Sequence, residues 1–238
     1  NIDYAPVTIN RYINVMKKLQ KAIPDFYGKE DITFHELNSD FIATFDLFLK
    51  TEAGLCRNTI VRYMKCFKRI TNMALAKEWM RKDPFYGYKM AQDETDPVFL
   101  TYPELKSIME KEFTIPRLAL VRDIFVFAAF TGLAFADVST LTKDNLVQDN
   151  NGDWWIRKGR VKLERRHRAS SVCNIPLLPV PLAILKKYEE HPICRKKSLC
   201  LPVICNQRMN SYLKEIADLC NIRKNLTTHT AKHHTISI

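Results

Sequence analysis

Apolar residues return every three or four positions along most of this chain, interrupted by one polar, acidic stretch. Ile9, Tyr12, Ile13, Met16 and Leu19 fall on one face of a helix that Thr8 can cap. Phe41, Ile42, Phe45, Phe48 and Leu49 form the same pattern from Ser39 or Asp40 to Thr51, and Gly54 ends the run. A third helix is predicted from Asn58 to about Trp79, with Ile60, Tyr63, Met64, Phe67, Ile70 and Ala74 facing a core. Met90-Ala91-Gln92-Asp93-Glu94-Thr95-Asp96-Pro97 then breaks the rhythm, and its charge and closing proline suit a linker. The expected division is a helical domain over 1–90, a linker over 91–97 and a second domain over 98–238.

Beyond the linker, Thr101 followed three residues later by Glu104 is a capping box ahead of Leu105, Ile108 and Met109. A long helix from about Pro116 to Phe130 should end at Gly132. Trp154–Arg157 and Val172–Pro176 read as paired strands with a basic tip between them. Pro181–Glu190 and Met209–Asn221 read as two more helices. The fold class predicted is mainly α with a small antiparallel β-sheet.

Charge adds a partner to this picture. The 238 residues hold 37 Lys and Arg against 26 Asp and Glu, a net +11, which favours a polyanion. The excess is concentrated on the third helix, where Arg57, Arg62, Lys65, Lys68, Arg69 and Lys77 lie off the apolar stripe. Such a helix can lie along DNA phosphates. From charge alone, a solvated face with no ligand stands level with that reading.

Cysteine usage points away from a metal. The seven cysteines are odd in number and contain no CxxC. His191-x2-Cys194-x5-Cys200-x4-Cys205 has the residue types of a zinc cluster, but its spacing matches none of the usual structural sites, so ordinary thiols are expected. The longest apolar run, Ile124 to Phe130, is far too short to cross a bilayer. Reduced thiols in a cytoplasm and no membrane partner are the expectation.

Two motifs almost a hundred residues apart carry the chemistry. The first is Thr131-Gly132-Leu133-Ala134-Phe135-Ala136-Asp137-Val138, ending at Leu141. By itself it is a helix–Gly–helix corner. The second is His229-Thr230-Ala231-Lys232-His233, and with His234 next to it three histidines gather around a lysine within six positions. In this order, and with the basic hairpin between them, they resemble the two catalytic boxes of the tyrosine recombinases, the phage-type integrases, especially those of Bacteroides mobile elements. Residues 1–90 resemble that family's core-binding, SAM-like domain and residues 98–236 its catalytic domain. Leu201 to Lys214 is similar to the run preceding the histidine box.

That resemblance implies double-stranded DNA as partner, no cofactor, a bacterial cytoplasmic, nucleoid-associated setting, and self-association as a tetramer on DNA. Cutting a phosphodiester without metal needs a nucleophile, cations on the non-bridging oxygens and an acid for the leaving oxygen. The family uses a tyrosine that forms a 3′-phosphotyrosine, two arginines, a hairpin lysine and histidines. Here Ala134 stands at the first arginine position and Lys232 at the second, where charge is kept but the planar fork is lost. Arg157 and Arg160 are the candidates to supply the missing charge. Asp137 matches the acidic position after the first box. Lys162 is the favoured general acid when Arg160-Val161-Lys162 is aligned from the Trp155 side. Aligned from Ile175, that place falls on Arg168, and an arginine is a poor proton donor near neutral pH. His229 and His233 match the histidines of the second box. The sequence ends at Ile238, and the family's tyrosine would lie beyond it.

The catalytic set expected is therefore Lys162, His229, Lys232 and His233. Arg57, Arg62, Lys65, Arg69, Arg157, Arg160 and Arg168 are expected to touch DNA. The leading reading is a site-specific recombinase with a truncated catalytic domain, which binds DNA but cannot cleave it. The alternative is a non-catalytic DNA-binding relative, decayed or regulatory. A basic helical protein binding RNA or an acidic partner ranks last, since no RNA-module signature is present.

Overall fold

The computed structural model describes residues 6–159 and 172–232, and of Lys232 the backbone alone. The chain divides into two compact units, residues 1–95 and 96–238. The first is built on helices α1 (Pro6–Tyr27), α2 (Ser39–Lys50) and α3 (Arg57–Ala76). Asn38 starts α2 by accepting the Phe41 N–H at 2.9 Å, which satisfies one of the open donors of the first turn. Phe41, Ile42, Phe45, Phe48 and Leu49 are all buried, as their spacing predicts. Phe67 of α3 meets Phe41, Phe45 and Phe85 edge-on at 6.1, 5.7 and 5.6 Å, so aromatic contacts join α2, α3 and the segment after α3.

Four expectations for this unit are corrected. Helix α1 is already under way at Pro6, so Thr8 lies inside it and does not cap it. Its buried residues are Val15, Ala22 and Ile23, while Ile13 and Met16 are 38% and 50% exposed. Apolar residues cover two neighbouring stripes of this helix, and only packing against α2 and α3 selects one. On α3, Ile70 is 40% exposed and Thr71 is buried in its place. The Thr71 hydroxyl donates to the Lys68 carbonyl at 3.0 Å, so its polar atom needs no outside partner. The helix stops at Ala76, short of Trp79, and Glu78 sits in the left-handed region at φ 60°.

The second unit is organised around one helix. α4 (Tyr102–Glu110) begins with the predicted capping box: the Thr101 N–H donates to Glu104 Oε2 at 2.7 Å. α5 (Pro116–Thr131) is buried on nearly every side and is packed by α4, by α7 (Pro179–Tyr188), by α9 (Asn206–Leu219) and by α10 (Thr228–Lys232). Gly132, at φ 64°, closes α5 and donates its N–H to the Ala128 carbonyl at 2.9 Å. α6 (Phe135–Ser139) follows at once, and α8 (Pro192–Lys197) lies between α7 and α9.

The sheet has strands β1 (Leu146–Gln148), β2 (Trp154–Gly159) and β3 (Val172–Pro176) in the order β1-β2-β3, all antiparallel. The hairpin pairing is as predicted, with Ile156 opposite Ile175. β1 is an addition, since three residues are too few for alternation to show. The short helices α8 and α10 are likewise additions. α7 starts two residues before Pro181, because Pro179 and Pro181 both fall in the first turn, where no intrahelical donor is needed. α9 starts three residues before Met209.

Asp123 is the polar centre of this unit. Only 5% exposed, it accepts Arg122 Nε at 2.6 Å, Lys187 Nζ at 2.7 Å and the Tyr188 hydroxyl at 2.8 Å, tying α5 to α7. Arg122 also donates to the carbonyls of Met109 and Lys111, which lie at the end of α4. Among the described residues no helix is long and apolar enough to cross a membrane, and no group of His, Cys, Asp and Glu is placed to hold a metal. His191 uses its Nδ1 to accept the Ile193 N–H at 3.3 Å, capping α8.

Candidate nucleic-acid interface

Asn58, Arg62, Lys65 and Arg69 step along one face of α3 at intervals of four, three and four, so they form a single polar stripe opposite the apolar one. Arg57, Arg62, Lys65 and Arg69 are all exposed. The N-terminal end of the stripe is already occupied. The segment after Met90 runs back over it: Arg57 Nε donates to the Ala91 carbonyl at 3.1 Å and Lys65 Nζ to Gln92 Oε1 at 3.0 Å. Asn58 exchanges two bonds with the Asp93 backbone, and Asp93 Oδ1 stands 3.6 Å from Arg57 Nε. Lys68 and Lys77 lie over the rings of Phe85 and Trp79, at 5.7 and 4.7 Å from the centroids.

In the second unit the two distant motifs meet. Phe135 and Val138 of the first share an apolar seam with Thr228 and Ala231 of the second, completed by Ile124, Phe125 and Ala128 of α5 and Met209 of α9. Ala134 is the residue that starts α6, and Asp137 is buried in its first turn. On α10, Thr230 and Ala231 are buried and His229 is exposed. The base of the hairpin is tied to the first motif through Lys158, whose Nζ donates to the Thr140 carbonyl at 2.9 Å.

Comparison with known proteins gives this arrangement a fold. Residues 3–90 match the family model of the phage integrase SAM-like domain. Along nearly its whole length the chain is similar in structure to solved integrases. A lambda integrase dimer bound to a COC′ core site matches over 98% of this chain and 82% of that one, with a TM-score of 0.67 at 14% identity. The chain has the tyrosine recombinase fold. A second recombinase of this fold, XerH in a post-cleavage complex with palindromic difH substrate, matches over 96% of this chain and 67% of that one, with a TM-score of 0.68 at 16% identity. The Tn1549 transposon integrase with circular intermediate DNA matches over 98% and 80%, with a TM-score of 0.67 at 15% identity. No curated protein sequence matches the chain.

Within this recombinase fold the candidate residues divide into two groups. Arg57, Arg62, Lys65 and Arg69 share α3, His229 lies on α10, and Arg157 is exposed on β2. Strand alternation puts Arg157 on the face opposite Ile156 and Lys158, and so away from the side that packs on the helices. Lys162, Arg160, Arg168 and His233 lie outside the described residues, as does the Lys232 side chain. Sequence reasoning gave no part to Asn58, Lys158, Asn206 or Asn210, whose side chains bond to distant segments of the chain. For Asn210 one signal was available: asparagine is a weak helix former placed in the middle of a helix.

Proposed function

We propose that this chain is the DNA-gripping body of a site-specific recombinase. The observation that carries the reading is the fold, which extends over 98% of the chain and is the one lambda integrase uses on its core site. The α3 stripe supports it. Arg57, Arg62, Lys65 and Arg69 are the phosphate contacts there, and Arg57 and Lys65 exchange Ala91 and Gln92 for phosphates when duplex arrives. Arg157, Arg160 and Arg168 extend the contact along the hairpin. Lys162 is the general acid, and His229, Lys232 and His233 gather at the scissile phosphate. The domain limits we adopt are 1–90 and 98–238, with the linker between. Lambda integrase has been solved as a tetramer on a Holliday junction, and self-association on DNA is part of the same proposal.

Chemistry separates this reading from a second. Ala134 and Lys232 occupy positions that hold arginine in the family, which favours a relative that grips without cutting. A polypeptide of these 238 residues should bind duplex DNA and leave no covalent mark on it. The test combines a gel-shift titration in rising salt with denaturing electrophoresis of a nicked substrate. Binding that weakens about 10³-fold or more between low and moderate salt fits contact with six or more phosphates. A flat salt profile overturns the grip, and a protein–DNA band surviving denaturation overturns the absence of cleavage.

A further inference from the structure

The histidine-bearing helix α10 is five residues long. A helix so short gains nothing from propagation, and most of its peptide groups are end groups in need of outside partners. Local bonds supply some of them. The Thr230 N–H donates to Thr227 Oγ1 at 3.4 Å, and the Thr227 N–H donates to Thr230 Oγ1 at 3.2 Å. This reciprocal threonine cap closes the first turn, but both its partners lie in the same segment, so it does not by itself fix how the helix is turned against its neighbours.

Beside the burial of Thr230 and Ala231, two side chains of α9 fix the start of the helix from outside. Asn210 Oδ1 accepts the Thr228 N–H at 2.8 Å, and Asn206 Oδ1 accepts the Thr228 hydroxyl at 2.8 Å. Positions 206 and 210 are one helical turn apart on the same face of α9, so both acceptors converge on the residue next to His229. Both bonds require the amide oxygen, because both Thr228 groups act as donors. Thr230 and Ala231 are buried beyond the clamp, and His229 is left on the exposed side.

We propose that Asn210, assisted by Asn206, is a positioning residue for the recombinase site: it holds Thr228 and so sets the direction in which α10 presents His229 to a bound phosphate. This rests on the DNA-gripping reading for its purpose, but not for its geometry. Positioning matters because a misplacement of about 1 Å in a reacting group costs on the order of 10²-fold.

The experiment uses the 238-residue chain and three variants: Asn210→Leu, Asn210→Asp and Asn206→Ala. The imidazole resonances of His229, assigned with His229→Gln, are followed by NMR through a pH titration of the free protein. Affinity for a nicked duplex and urea melting are measured alongside. In Asn210→Leu the His229 resonances and titration midpoint should move and duplex affinity should fall by about tenfold. Asn210→Asp, which keeps an acceptor, should return the His229 resonances of the free protein to their original places. Asn206→Ala removes one bond at the edge of α9 and should give a smaller shift in the same direction, so the test survives even if the leucine variant unfolds. His229 spectra that superimpose across all variants overturn the proposal, as does a failure of Asn210→Asp to restore them. If the unaltered chain does not bind duplex, the DNA reading fails, and the spectra of the free protein still decide the role of Asn210.

Discussion

Asn58 and Asp93, thirty-five positions apart, exchange two hydrogen bonds: Asn58 Nδ2 donates to the Asp93 carbonyl at 3.1 Å, and the Asp93 N–H donates to Asn58 Oδ1 at 2.9 Å. The side-chain amide of Asn58 pairs with the peptide groups of residue 93 as a neighbouring strand would. The adjacent Arg57–Asp93 ion pair is half-exposed and contributes little beside this. Asn58→Ala should cost about 1 kcal/mol of local stability. Amide hydrogen exchange over residues 91–95 should then quicken while that of the α2 core stays slow.

The segment 91–93, a strap over the start of α3, also bears on DNA binding. Arg62→Ala and Arg69→Ala should each lower the slope of log affinity against log salt by about 1, one phosphate contact apiece. Asn58→Ala leaves the charge unchanged yet releases Arg57 and Lys65, so it should tighten binding. Unchanged affinity in a salt-controlled titration would mean that strap and duplex use different faces of α3.

Asp123 concentrates stability in the second unit. Removing a buried carboxylate strands its partners, and a broken buried pair typically costs about 3–5 kcal/mol. Asp123→Ala deprives Arg122, Lys187 and Tyr188 of their shared acceptor. Urea unfolding should show a loss of that order. Lys187→Ala should cost much less, since the Lys187 side chain is 52% exposed.

Glu104 makes part of that stability depend on pH. Burial pushes its carboxyl up, but the Lys224 ammonium and the N–H and hydroxyl of Thr101 outweigh it, so the group titrates below its usual range. A carboxyl depressed in the folded state stabilises at neutral pH, and that contribution is lost as pH falls below about 4.5, its ordinary value. The melting temperature should fall between pH 5 and pH 3, and more weakly in Glu104→Gln.

Thiol reactivity should follow the local fields. Cys56 is exposed at the start of α3, and the hydroxyl and N–H of Thr59 lower its pKa. Burial pushes Cys200 up to about 11. At neutral pH iodoacetamide should therefore modify Cys56 early and Cys200 last, as peptide mass spectrometry over time would show.

The helix-forming signals were strong enough to read locally. Five apolar residues of α2 recur on one face, and the Thr101–Glu104 pair announces α4 in its own sequence. α5 was legible because its apolar run ends at a glycine that must adopt a positive φ. β1 and α10 were not, since segments of three and five residues carry too little periodicity and are held by neighbours. Of the candidate site, the α3 cations were visible as a stripe, but the Ala91 carbonyl and the Gln92 side chain that hold Arg57 and Lys65 were not.

By itself, then, the sequence determined where helices form, where the chain divides in composition and which residues carry charge, because these depend on neighbours a few positions away. Only the tertiary structure decided which of two apolar stripes α1 buries, that the 134–138 and 228–232 segments share one seam, and that Asn210 reaches Thr228. Those outcomes depend on contacts between distant segments, whose stabilisation is felt only after the chain has closed the loops between them.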